Sequence, residues 1–323
     1  MNKINKIFIA GHTGMVGSAF LRFFRKKKYK NVFLQTRKQL DLTNQTKVFN
    51  YFKKIKIDVL IICSAKVGGI YANNTYPHNF IRDNLQIQNN LLEAAFINKI
   101  SKVLFLGSSC IYPRNCKQPM KEDMLLSGHL EKTNEQYAIA KLAGIKYCEG
   151  IMRQYGSDTN VDFRTILPPN LFGDNDNYDP KNSHVIASLI KKITEAKKNK
   201  LKKVYLWGDG TPKREFLHVD DLVETSVKLL KISKKKYWNY FKKDQTHLNV
   251  GSGYETSINK LAKIISKLVD YKPILKFNKK MPNGVKRKIM SNSKIKKILK
   301  SYKPYNEDIF KKKLNELIKV IKV

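Results

Sequence analysis

Gly11, Gly14 and Gly17 stand three residues apart directly behind an apolar run, and no other feature limits the possible folds of this chain as strongly. Ile4 to Ala10 reads as a buried strand, and Ser18-Ala19-Phe20-Leu21 opens a helical pattern. Glycine has no Cβ, so a backbone rich in it turns sharply and lies close to a diphosphate. The helix that follows presents free N–H groups and the positive end of its dipole to the same phosphates. The stretch Gly11, His12, Thr13, Gly14, Met15, Val16, Gly17 is therefore expected to cradle phosphate at the start of a nucleotide-binding α/β domain. On its own it leaves NAD, FAD or a plain glycine turn open.

The pattern beyond the glycines narrows the choice. Further strands are expected over Asn31 to Thr36, Asp58 to Ala65, Lys102 to Leu106 and Phe163 to Leu167, the last stopped by Pro168 and Pro169. Between them lie helical patterns: one capped by Thr43, one from Phe80 to Ile97, and one capped by Thr133 or Asn134 that runs to about Tyr155. Alternating strand and helix units mean a parallel sheet wound with right-handed crossovers. The fold class expected is α/β, a Rossmann-type doubly wound parallel sheet with a smaller α/β substrate-binding lobe. Residues 1–167 are assigned to the nucleotide domain, with 211–235 returning to it, and 168–323 mainly to the lobe. In that second part helices are expected over Asn182 to Lys198, His218 to Leu230, Thr256 to Val269 and Asn306 to Ile321. Strands are expected over Val204 to Trp207 and Pro273 to Phe277, and Lys234 to Asp244 reads as an exposed charged link.

The formal charge of +37 raises nucleic-acid or membrane binding as a possibility. The lysines, however, are spread over almost every helix and loop, and no helix-turn-helix, zinc finger or aromatic RNA platform accompanies them. No dedicated nucleic-acid partner is expected; the same charge still attracts an anionic nucleotide. No apolar run reaches the ~20 residues of a membrane span, and Met1-Asn2-Lys3-Ile4 enters a strand without a signal-peptide core. Cys63, Cys110, Cys116 and Cys148 form no Cys-x-x-Cys pair. That usage suits a reducing cytoplasm, and no metal is expected.

Two clusters carry chemistry. An NAD-preferring fold places Asp or Glu after the second strand to hold the ribose hydroxyl. Here Arg37 and Lys38 stand instead, which suits the 2′-phosphate of NADP(H). Tyr137 and Lys141 are four apart on a helix and share a face. A lysine ammonium beside a phenol favours phenolate, so the pair is expected to lower the tyrosine pKa and to exchange a proton with a carbonyl or hydroxyl. With Ser108 at the end of the fourth strand they form the acid–base set of a short-chain dehydrogenase.

Longer segments sharpen this. Gly14-Met15-Val16-Gly17-Ser18, Ala65-Lys66-Val67-Gly68-Gly69-Ile70, Ala72-Asn73-Asn74-Thr75-Tyr76-Pro77, Phe105 to Pro113, Asn182-Ser183-His184-Val185-Ile186 and Arg214-Glu215-Phe216-Leu217-His218-Val219-Asp220-Asp221 resemble the GDP-4-keto-6-deoxy-D-mannose epimerase/reductases. These are the GDP-L-fucose synthases of the extended short-chain dehydrogenase family. The resemblance implies NADPH-dependent epimerisation at C3 and C5 and reduction at C4 of a GDP-sugar. It makes Cys110 the base and His184 the acid of epimerisation, Tyr137 the proton donor in reduction, and Ser108 the partner of the C4 oxygen. It also implies cofactor contacts at Leu106, Gly107, Ser108, Lys141, Pro168, Pro169, Asn170, Leu171 and His184, besides the glycine stretch and Arg37. Lys192, Trp207, Arg214 and Asn283 match substrate-binding positions. A homodimer through the helices 80–97 and 133–155 is implied too.

Four positions depart from the family pattern: Thr13 where a cation is frequent, Lys192 for Arg, Asn283 for Asp, and Pro169 for a small hydroxyl residue. A sibling enzyme acting on another 4-keto-deoxy GDP-hexose, such as a colitose synthase, stays open, as does a silent nucleotide-binding module.

Overall fold

The computed structural model describes residues 1–321 except 180–181, 243 and 282. Its strands are β1 (Ile7–Ala10), β2 (Val32–Phe33), β3 (Val59–Ile62), β4 (Lys102–Leu106), β5 (Asp162–Leu167), β6 (Asn170–Phe172), β7 (Lys203–Trp207), β8 (Lys213–His218), β9 (His247–Asn249), β10 (Glu255–Ser257), β11 (Ile274–Asn278) and β12 (Arg287–Lys288). Helices α1 (Met15–Lys26), α2 (Gln45–Lys54), α3 (Ile70–Thr75), α4 (Pro77–Ile97), α5 (Glu135–Tyr155), α6 (Val185–Lys198), α7 (Val219–Lys231), α8 (Lys234–Trp238), α9 (Ile258–Leu268), α10 (Ser293–Ile298) and α11 (Glu307–Val320) connect them.

Six strands form one parallel sheet in the order β2-β1-β3-β4-β5-β9. Strand side chains alternate in direction, and here both directions are apolar. Phe8, Ala10, Leu60 and Ile62 pack toward α2, α4 and α5. Ile7, Ile9, Val59 and Ile61 pack toward α1 and α7. Helices cover both faces, which explains why β1 and β3 read as unbroken apolar runs. A third core gathers α6, α9 and α11 around Phe172 and Phe216. Beside it β8 pairs with β6, β10 and β12, and β7 with β11. Among the described residues no helix is long and apolar enough to cross a membrane.

Three local expectations are corrected. The cap of α2 is Asn44, whose side chain accepts the Lys47 N–H at 2.9 Å, a contact worth about 1 kcal/mol. Thr43 is engaged by the Asp41 carboxylate at 2.8 Å. The expected exposed link 234–244, of which 243 lies outside the described residues, contains α8 and a fully buried Tyr237. Arg164 is only 1% exposed, is held by Asp162 at 2.8 and 2.5 Å, and lies 4.0 Å over the Tyr237 ring. A buried guanidinium needs that carboxylate and that ring, so the lysine-rich segment is drawn inward. Finally, β8 and β9 lie where no strand was expected. β8 has six residues but no alternation, its last four all buried, and the three-residue β9 gains its place by pairing with β5.

Candidate active site

The glycine turn is as tight as its composition requires. Gly11 has φ +84°, and a Cβ there would lie 2.8 Å from the backbone nitrogen of Ser64. A Cβ on Gly17 would overlap the Gly11 carbonyl. Gly14 caps α1, whose first turn carries no acid, so the helix end is free to meet negative charge. Gly14, Met15, Val16 and Gly17 line a cavity of 240 Å³. Across it stand Leu106, Gly107, Ser108, Cys110, Tyr137, Lys141, Pro168, Pro169, Asn170, Leu171 and His184. Gly11, His12, Thr13 and Arg37 do not line that cavity. Gly11 serves the turn behind it, Arg37 is exposed after β2, and the His12 Nδ1 atom is buried with no partner.

The strand ends and α5 bring the acid–base groups together. Ser108 Oγ hydrogen-bonds the Tyr137 phenol and accepts the Cys110 N–H at 3.2 Å. The Tyr137 ring meets Phe80 edge-on at 6.3 Å. Lys141 is only 4% exposed, donates to the Leu106 carbonyl at 2.9 Å, and sits 4.9 Å over the Phe105 ring. Burial draws its ammonium down to about 8. The expectation of a lowered tyrosine pKa is corrected here. Burial is the largest cause and pushes the Tyr137 phenol up; the charge of Cys110 adds to this, and the Ser108 hydrogen bond opposes it. Desolvation disfavours the phenolate, and one N–H of the Lys141 ammonium is directed to the Leu106 carbonyl rather than to the phenol. Tyr137 is thus held protonated.

A second cavity, of 290 Å³, contains all four expected substrate positions, Lys192, Trp207, Arg214 and Asn283. It shares Gly68, Asn73, Cys110, Asn134, Asn170 and His184 with the first, so Cys110 and His184 stand where the two meet. Trp207 leaves 40% of its surface exposed, available for stacking. Lys192 donates to the Tyr205 carbonyl at 3.2 Å. Arg214 donates to the carbonyls of Lys213 and Asn283, at 2.9 and 3.3 Å. Burial draws its guanidinium down to about 10, against the opposing influence of Cys110 and Glu131. The side chain of Asn283 accepts the Asp209 N–H at 2.9 Å, so it ties two loops of the lobe together. A wider cavity of 720 Å³ between residues 113–117 and 124–135 holds none of these groups.

Two features escaped the sequence reading. Gly68 and Gly69 press against the chain just before His184: the Gly69 N–H reaches the Asn182 carbonyl at 3.1 Å, and a Cβ on Gly69 would lie 2.8 Å from the Ser183 oxygen. The motif Val67-Gly68-Gly69 was visible, but not what it touches. Lys288 stands with its Nζ 3.8 Å from Cys110 Sγ. It lies on a two-residue strand in a lysine-rich tail, where no local signal sets one lysine apart.

The model of the NAD dependent epimerase/dehydratase family matches residues 7–251. The chain is 45% identical over 290 residues to a GDP-L-fucose synthase of Escherichia coli K12, covering 90% of this chain and 89% of that protein. It is 38% identical over 288 residues to a GDP-L-colitose synthase of Yersinia pseudotuberculosis, covering 89% and 90%. Its fold superposes with a TM-score of 0.85 on a GDP-mannoheptose C4 reductase from Campylobacter jejuni with NADP bound, at 32% identity and covering 99% and 98% of the two chains.

Proposed function

The chain belongs to the NAD dependent epimerase/dehydratase family, and we propose that within it the protein converts GDP-4-keto-6-deoxy-D-mannose to GDP-L-fucose with NADPH. The observation that carries this reading is the meeting of two cavities at Cys110 and His184. One is walled by the glycine cradle and the Ser108–Tyr137–Lys141 set, the other by Lys192, Trp207 and Arg214. The cradle fits a diphosphate, since Gly11 and Gly17 leave no room for a Cβ and the α1 terminus faces it. Arg37 is read as the group that meets the 2′-phosphate. Higher identity to the fucose synthase than to the colitose synthase supports the fucose assignment.

The C4 ketone of such a substrate acidifies C3–H and C5–H. Cys110 takes a proton from one face, the electron pair moves into the enolate, and Ser108 supports the oxygen that gains charge. His184 returns a proton from the other face. NADPH held by the glycine turn would supply hydride for C4, and Tyr137, kept protonated by burial, gives the C4 oxygen its proton. Lys141 holds its place on the Leu106 carbonyl beside the tyrosine. The cations Lys192 and Arg214 meet the GDP diphosphate, and Trp207 stacks on the base.

Residues from β6 onward that surround the second cavity are read as the substrate lobe. A second copy is proposed to pack on α4 and α5, where Ile97 and Ile139 are 54% and 40% exposed. A reducing cytoplasm is read as the place of action, in keeping with four free cysteines. The reading is tested by NADPH oxidation with GDP-4-keto-6-deoxy-D-mannose and with its 3-deoxy analogue, products identified chromatographically. A larger kcat/KM for the 3-hydroxy sugar, with GDP-L-fucose as product, is expected. A larger value for the 3-deoxy sugar assigns the chain to the sibling reaction.

A further inference from the structure

Cys110 lies in unusual company. The Nζ of Lys288 is 3.8 Å from its sulfur, and the parallel register of β12 with β8 sets Lys288 beside Arg214. Both cations line the same cavity as the thiol. The other titratable groups around it are Tyr137 from α5, His184 at the start of α6, and Glu131 ahead of α5. Glu131 is the one carboxylate among the described residues lining that cavity. It is engaged at 3.3 Å by both the N–H and the hydroxyl of Thr133, and its charge is felt at Arg214, which leaves Lys288 as the cation in direct contact with the sulfur.

We propose that Lys288 is a positioning residue for proton transfer, its ammonium holding Cys110 as the thiolate that acts as base. The inference deepens the proposed reaction and rests on Cys110 being the base. A free thiol is only a few per cent thiolate at neutral pH, and a base must be deprotonated before it can take a proton from C3 or C5. A cation within about 4–6 Å stabilises the charged form enough to raise the thiolate share at pH 7 about tenfold. Arg214, bonded to two backbone carbonyls, is fixed at a neighbouring place; Lys288 supplies the direct contact.

The test is alkylation of the full-length protein with iodoacetamide between about pH 6 and pH 10, each cysteine followed by peptide mass spectrometry. In Lys288→Met, labelling of Cys110 at pH 7 is expected to slow about tenfold, with its half-maximal rate reached at higher pH. Lys288→Arg, which keeps the charge, is expected to follow the parent protein. Cys116, whose sulfur faces Met124 Sδ at 3.4 Å, should not change and serves as the internal reference. If Lys288→Met exposes the buried Cys148, Lys288→Gln is read by the same criteria. An unchanged Cys110 profile overturns the inference, even where KM for the GDP-sugar rises; Lys288 is then a phosphate contact only. Failure of the base assignment has a separate signature, because it appears in deuterium exchange by Cys110→Ser and not in the labelling profile.

Discussion

Tyr137→Phe is expected to slow NADPH oxidation roughly 10²–10⁴-fold, the size of a lost general acid, while solvent deuterium still enters C3 and C5 of the ketosugar. The reason for separating the two steps is geometric. The phenol oxygen is the group hydrogen-bonded by Ser108, and its ring is seated against Phe80. Phenylalanine keeps the ring and its edge contact and removes only the proton and its acceptor. Cys110 and His184 at the junction of the cavities are left in place, so proton exchange persists and unreduced ketosugar accumulates. The stopped-flow loss of NADPH absorbance and the NMR signal of C3–H and C5–H measure the two steps in one sample. A near-normal reduction rate in this variant removes Tyr137 from the role of acid.

The converse holds for Cys110→Ser. Deuterium uptake at C3 and C5 is expected to fall roughly 10²–10⁴-fold, since a serine hydroxyl at the same place is a far weaker acid than a thiol and stays protonated at neutral pH. The substitution is small, and the Cys110 N–H bond to Ser108 Oγ belongs to the backbone, so Ser108 and Tyr137 keep their positions. NADPH oxidation can then continue on unepimerised ketosugar and give a 4-reduced product of the starting configuration. Unchanged deuterium uptake would show that another group is the base.

Much of this arrangement was legible in the residues. The glycine turn, the buried strands and the Tyr137–Lys141 spacing are local patterns, and each is set by steric or periodic rules that operate within a few residues. The reading failed where the cause is distant in sequence. The Tyr137 phenol is pushed up because the folded chain buries it, not because of the neighbour one turn away. Tyr237 enters the core of an apparently solvated lysine-rich stretch because Arg164, on another strand, needs a partner. Lys288 acquires its place beside Cys110 only through the pairing of β12 with β8. Asn283 lines the expected cavity, and its side chain also accepts the Asp209 N–H, a tie between loops that the sequence did not show. None of these pairings leaves a mark in the local sequence, because each joins segments about 70 residues apart or more.

The most direct measurement is the reaction of the full-length protein with GDP-4-keto-6-deoxy-D-mannose and NADPH in deuterium oxide, followed by NMR of the product. GDP-L-fucose is expected with deuterium at C3 and C5, protium from NADPH at C4, and one NADPH oxidised per product formed. NADPH oxidation that yields a product with protium at both C3 and C5 would contradict that expectation, because the site would then reduce the ketone without epimerising its neighbours.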